Sequence, residues 1–122
     1  YSNAAQNYVA YCFHSVSGYS KISTYPGDSS SNLGVTGVGF KPNFLAIKKT
    51  SGTGTGHWMV YDHRRDTTNA PQTDTCLFWN LVDGDFSASD INVRFDSNGF
   101  TILGNNSNIN GAGNTYFYMA FK

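Results

Sequence analysis

The chain has 122 residues and no formal net charge, and aromatic residues (16%) outnumber charged ones (13%). This length suits one domain with a buried core, and zero net charge removes the global field that draws proteins to nucleic acid or to anionic membranes. We therefore expect no nucleic-acid partner. The longest apolar runs, "YVAYCF" and "YFYMAF", are far shorter than the ~20 residues of a membrane span, so we also expect no membrane-spanning segment.

Residue usage predicts an all-β fold. Gly, Ser, Thr and Asn together form about two-fifths of the chain, Leu is scarce, and Glu is absent. Straight-chain residues that favour helices are therefore few, whereas β-branched, aromatic and turn-forming residues are abundant. We expect strands joined by long polar loops, with no substantial helix.

In the N-terminal half, period-two alternation bounded by Gly, Pro, Asn and Asp predicts five strands. They are residues 8–15, 19–25, 35–42, 43–50 and 57–62. In the fifth strand, Trp58 and Val60 share one face, whereas Met59 and Tyr61 share the other. Glycines within 35–42 indicate a bulge or a close backbone approach there.

In the C-terminal half, the same alternation predicts strands at residues 75–81, 91–96, 100–104 and 115–122. Ile91, Val93 and Phe95 alternate with polar residues and should face the core. The tight turn "SNG" predicts a hairpin with Gly99 at positive φ.

The last strand has two different faces. Phe117, Met119 and Phe121 form a fully apolar face that we expect to lie in the core, and the tyrosines form an amphipathic face, suited to solvent or to a subunit contact. We also expect the first and last strands to share a sheet. Together the pattern predicts a β-sandwich or jelly roll of eight or nine antiparallel strands, a single domain over residues 1–122. Because the chain starts with Tyr rather than Met, we expect it to be a fragment of a longer protein.

The two cysteines, Cys12 and Cys76, are far apart in sequence. Both lie in aromatic-rich predicted strands, which favours two small buried side chains. A disulfide between them is the alternative, and sequence alone does not place their Cα atoms within bonding range.

Metal binding is the less favoured interpretation of two clusters. His57 and His63 lack the additional ligands of a zinc or iron site. Asp83, Asp85 and Asp90 offer carboxylates for calcium, but the bidentate Glu of a calcium loop is missing. We favour a solvated Asp-rich turn and expect no cofactor.

The stretch "YDHRRD" could supply hydrolytic chemistry. Asp62 and Asp66 could act as acid and base, but carboxylates on one loop rarely face each other across a bond. No Gly-x-Ser-x-Gly elbow appears in the sequence. We therefore favour an Asp–Arg network that orders this loop.

The surplus of aromatic residues suits carbohydrate binding, since flat rings stack on sugars while Asn and Asp bond the hydroxyls. Our candidate contacts are an exposed aromatic set with polar neighbours: Trp79, Tyr61, His57, Asn105 and Asn106.

Four stretches carry a family resemblance: "YVAYCFHSVSGYSKISTYPG", "TGVGFKPNFLAIKKT", "HWMVYDHRRD" and "FDSNGFTILGNNSNINGAGNTYFYMAFK". In this order they resemble a module found near the C-terminus of bacteriophage structural proteins, often tail fibres or similar virion proteins of marine and cyanobacterial phages. The likeness covers nearly the whole chain, and its most specific part is the pattern G-F-x-I followed by N-x-x-G-x-x-Y-x-Y-M-A-F. It brings no catalytic residues.

The resemblance implies a virion-surface module that is assembled in the host cytoplasm and lies beside other fibre domains. It also implies a homo-oligomer, and a trimer in particular, because such fibres are commonly trimeric. We expect a non-enzymatic module that adheres to a host cell-surface polysaccharide through shallow loop contacts, with avidity from several copies. One alternative is a purely structural capsid or tail decoration or assembly subunit. A second is a polysaccharide depolymerase, for which the chain offers Asp62, Asp66, Asp83, Asp85 and Asp90. A cellular lectin is a third.

Overall fold

The computed structural model describes residues 7–52, 54, 56–66 and 72–122. These residues form ten strands: β1 (Ser20–Pro26), β2 (Leu33–Thr36), β3 (Phe44–Ser51), β4 (Trp58–Asp62), β5 (Gln72–Thr73), β6 (Thr75–Phe78), β7 (Phe86–Ser87), β8 (Val93–Asp96), β9 (Gly99–Ile102) and β10 (Thr115–Phe121). A 3₁₀ turn spans Ser89–Ile91. The predicted all-β class is confirmed, and within the described ranges no helix has the length and apolar character needed to cross a bilayer.

The strands form two antiparallel sheets. The larger has the order β1-β10-β3-β4-β6-β7, and the smaller has the order β2-β9-β8-β5. In the larger sheet β1 lies beside β10, in a register that runs from Ser20 opposite Phe121 to Pro26 opposite Thr115. A strand from near the N-terminus and the last strand thus share one sheet, as expected. The N-terminal strand in this pair is the second predicted strand (residues 19–25) and not the first.

The predicted hairpin near the C-terminus is present as β8 and β9. Asp96 pairs with Gly99 across the turn, and Gly99 has a φ of 146°. A Cβ at this glycine would lie 2.1 Å from the carbonyl oxygen of Val35 on neighbouring β2. Both the backbone conformation and the close approach of β2 therefore require glycine here.

The main core lies between the two sheets. The six-stranded sheet and the four-stranded sheet both contribute alternate residues, and the buried members include Leu45, Ile47, Met59, Tyr61, Tyr116, Val93, Phe95, Phe100 and Ile102. The predicted inward set Ile91, Val93 and Phe95 is confirmed, since each is at most 3% exposed.

The orientation predicted for β10 is wrong. Tyr116, Tyr118 and Ala120 face the core between the sheets, whereas Phe117, Met119 and Phe121 belong to a second cluster on the outer face of the six-stranded sheet. Tyr116 can be buried because its hydroxyl has a hydrogen-bond acceptor within the domain: it donates to the carbonyl of Ser107 at 2.7 Å. A period of two separates the two faces of a strand but does not say which one is covered by the other sheet.

The strand predicted at residues 8–15 is also wrong. Residues 7–15 form no strand, and we call this segment the arm. Its end is tied to β1 by side chains rather than by a backbone ladder, because the Ser15 hydroxyl accepts a hydrogen bond from the Ile22 amide at 3.0 Å. A turn through Gly18, with φ of 71°, connects the arm to β1.

The remaining differences concern short elements. β5 and β7 have two residues each, too few to give a periodic signal. The predicted strand at residues 35–42 overlaps β2 only at its first two residues, since Gly37 and Gly39 take φ of 79° and 90° and turn the chain out of the sheet.

Candidate functional site

A groove of about 570 Å³ runs across the outer face of the six-stranded sheet. Strands β1, β10 and β4 supply its base and the arm borders it, and its lining is Tyr11, Cys12, Phe13, Ile22, Trp58, Trp79, Phe117 and Met119. This volume lies in the range of sites that bind small molecules. Because almost all of the lining is apolar, the groove offers shape and aromatic surface rather than charge.

Both tryptophans of the chain lie in this groove. Strand alternation on β4 turns Trp58 outward, and Trp79 follows the end of β6, where its amide donates to the Trp58 carbonyl at 3.2 Å. The two indole rings are 5.9 Å apart and tilted by 38°, and Trp79 also packs on Phe44 at 5.8 Å. Although it packs on these two rings, Trp79 remains 54% exposed. It therefore presents to solvent an aromatic surface whose orientation is fixed by packing.

His57, just before Trp58, and Asn80, just after Trp79, form a polar pair outside the groove lining. The Asn80 side-chain oxygen accepts from the Trp58 amide at 2.8 Å, and this contact fixes which end of the Asn80 amide faces His57. The Asn80 Nδ2 therefore donates to His57 Nδ1 at 3.1 Å. Sequence reasoning found His57 but missed Asn80, whose role depends on a contact 22 residues away in sequence.

Tyr61, another predicted contact, is not available to a ligand. Its side chain is fully buried at 0% exposure, and its hydroxyl donates to the Ile91 carbonyl at 3.0 Å. Burial raises the pKa of Tyr61 well above its ordinary value. The residue joins β4 to the 3₁₀ turn across the core.

The Asn-rich loop after β9 is folded back onto the domain. Asn105 is exposed, but Asn106 donates to the Asp90 carboxylate at 2.8 Å and accepts from the Asn108 amide at 2.9 Å. Farther along the loop, Asn110 is completely buried. The loop that we expected to contact a partner is thus largely a structural element, which we call the plug loop because it packs into the domain. The side-chain amide of Asn106 has hydrogen-bond partners within the domain.

The carboxylates proposed for calcium are used elsewhere. Asp85 forms an ion pair with Arg65, and Asp90 accepts from Asn106, while Asp83 is exposed. Among the described residues no group of three or more His, Cys, Asp or Glu side chains is placed to hold a metal ion. The structure does not bring the three together as a ligand set.

The carboxylates of the "YDHRRD" stretch bond to their own surroundings. Asp62 accepts from the Arg64 amide at 2.8 Å. Asp66 is 7% exposed and accepts from the Thr73 hydroxyl at 3.2 Å and the Asp74 amide at 3.0 Å. These contacts, to two backbone amides and one hydroxyl, help to order the loop after β4, while Arg65 pairs with Asp85 outside the stretch.

Both cysteines are free thiols. Cys12 is exposed on the arm, contrary to the favoured prediction of a buried side chain, and Cys76 is buried in the core, where burial raises the pKa of its thiol to about 12. The alternative of a disulfide between them is not what the structure shows.

Comparison with known proteins gives one match. The model of a family described as a domain of unknown function, DUF7483, matches residues 1–122. The chain belongs to this family. No curated protein and no solved structure matches it.

Proposed function

We propose that this chain is a non-enzymatic, carbohydrate-binding module of a bacteriophage virion surface, in a tail fibre or similar appendage, and that its outer-face groove takes a host cell-surface polysaccharide. The observation that carries the proposal is the half-exposed Trp79 indole, held against Trp58 at the edge of the groove. The sequence resemblance to phage virion modules supports the location.

The physical basis is the match between an indole face and the apolar face of a sugar ring. Trp79 has the flat exposed surface that such stacking uses, and packing against Trp58 and Phe44 restricts its rotation before a ligand arrives. A side chain that is already held loses less conformational entropy on binding.

This site differs from the one expected from sequence, since it lies on a sheet face and not on the loops. The groove is shallow and mostly apolar, which suits weak binding per copy. Several copies on one particle would then give useful avidity, because each later contact is made at high effective concentration.

The test is binding of the isolated chain to host cells and to a glycan array, with Trp79→Ala beside the wild type. We expect the variant to bind at least about tenfold more weakly, equivalent to ~1.4 kcal/mol. Phe86→Ala is the matched control, since Phe86 is an aromatic residue with 42% exposure outside the groove lining, and it should bind as wild type does.

Two results would count against the proposal. Equal binding by wild type and Trp79→Ala, with both variants folded by circular dichroism, would remove the groove as the sugar site. Release of reducing ends from the host polysaccharide would show a depolymerase instead of a binding module.

A further inference from the structure

The arm and the turn after it expose several apolar side chains, two of which, Tyr11 and Phe13, also line the groove. Six residues, which we call the arm patch, carry these side chains: Tyr8, Val9, Tyr11, Phe13, Val16 and Tyr19. Their exposure ranges from 41% for Val16 to 82% for Tyr11. No Asp, Glu, Lys or Arg occurs from residue 7 to residue 20.

The arm patch has a fixed position on the domain. The Ser20 hydroxyl donates to the His14 carbonyl at 3.0 Å, and the Val16 and Ser20 backbones form a bridge. Phe13 packs edge-on against Phe121 of β10 with ring centroids 6.1 Å apart. The patch is therefore held on the β1 side of the sheet, and its Tyr11 and Phe13 reach the groove that Trp79 also lines.

The area of the patch matches that of a protein interface. With about 200 Å² for a fully exposed aromatic residue and somewhat less for valine, its exposed fractions correspond to roughly 700 Å². Two such patches in contact would bury roughly 1,400 Å², and stable interfaces bury about 1,200–2,000 Å² in total. Enrichment in tyrosine and phenylalanine with depletion of charge is also the composition of an interface centre.

We propose that the arm patch binds the arm patch of a second copy of this chain across a twofold axis. A patch without charge is self-complementary, since two copies meet with no like-charge repulsion, and a twofold contact uses the same surface on both subunits. Tyr11 and Phe13 also line the groove, so this contact would cover part of the groove lining in each copy. Dimerisation is measured without polysaccharide and is therefore tested apart from the sugar-binding proposal.

The first test is sedimentation velocity of the 122-residue chain over a range of micromolar concentrations. Wild type should show a reversible monomer–dimer equilibrium, and Tyr8→Lys/Val9→Lys, two changes outside the groove lining, should weaken it about a hundredfold, because two lysines would lose water at the contact. The matched control, Leu81→Lys/Val82→Lys, places the same charges on exposed apolar residues outside the patch and should dimerise as wild type does.

A second test is chemical cross-linking of the wild type. Cys12 is exposed within the arm and Cys76 is buried, so a short bis-maleimide should join two copies through Cys12 alone, and Cys12→Ser should abolish the product. A wild type that stays monomeric at every concentration would overturn the proposal. Dimerisation that survives the arm lysines unchanged, or that gives no Cys12 cross-link, would overturn it as well.

Discussion

Replacement of Asn110 by alanine should destabilise the domain more than any other single change in its Asn-rich loop. Asn110 is fully buried. Its oxygen accepts from the Asp28 amide at 3.0 Å, and its nitrogen donates to the carbonyls of Ser30 at 2.7 Å and Gly104 at 3.4 Å. One side chain thus joins the loop after β1 to the loop after β9.

Alanine would leave the Asp28 amide and the Ser30 carbonyl without this partner. Both bonds are part-buried, and a typical hydrogen bond contributes about 0.5–1.5 kcal/mol, so we expect the free energy of unfolding to fall by about 1–3 kcal/mol. At about 4 °C per kcal/mol for a domain of this size, Tm should fall by roughly 4–12 °C.

The assay is urea denaturation followed by circular dichroism, with thermal melts beside it. Asn105→Ala is the control, because Asn105 lies in the same loop but is exposed, and a surface change of this kind stays within about 0.5 kcal/mol. Equal unfolding free energies for the two variants would refute the idea that Asn110 and its loop stabilise the fold.

Three further changes test other parts of the fold. Tyr61→Phe removes the hydroxyl that donates to the buried Ile91 carbonyl and should lower the free energy of unfolding by about 1–2 kcal/mol, measured by urea denaturation; no loss would contradict that bond. Gly104→Ala should unfold at a clearly lower temperature, because the new Cβ would lie 1.8 Å from the Asp90 carbonyl oxygen; an unchanged Tm would show that the loop can move aside. Stability should fall above about pH 9, because burial raises the pKa of Tyr61 well above its ordinary value and that of Cys76 to about 12, so the unfolded chain releases these protons first. The contribution is complete below the unfolded pKa values and is lost as pH rises towards the folded ones; urea midpoints at pH 8, 10 and 11 that do not decline would contradict it.

The hairpin of β8 and β9 could be predicted because the residues that determine it are close together in sequence. Ile91, Val93 and Phe95 alternate with polar residues, and Gly99 marks the turn. Local pattern and tertiary structure agree there, so the predicted faces and the observed faces coincide.

The arm shows where local pattern fails. Its sequence "YVAYCF" has the β propensity of a strand, but propensity does not supply a neighbouring strand. The Ser15 hydroxyl bonds to Ile22 of β1 instead of a ladder, and the arm stays outside the sheet.

The candidate site was predictable only in part. Trp79 was named as a candidate contact because flat aromatic rings stack on sugars, and the structure leaves it half-exposed in the groove. Tyr61 was assigned to the surface although alternation places it on the same face as Met59, and this face proved to be the core. Asn80 could not be found, since its importance comes from the pairing of distant strands that brings it to Trp58 and His57.

Tryptophan fluorescence is the most direct measurement of the central claim, because the only two tryptophans of the chain both line the groove. Titration with a host-surface polysaccharide that the protein binds should give a saturable change in emission whose midpoint equals the binding constant, and Trp79→Ala should remove most of it. Binding that is clear on cells or arrays but leaves the emission of the wild type unchanged would show that the sugar contacts another surface.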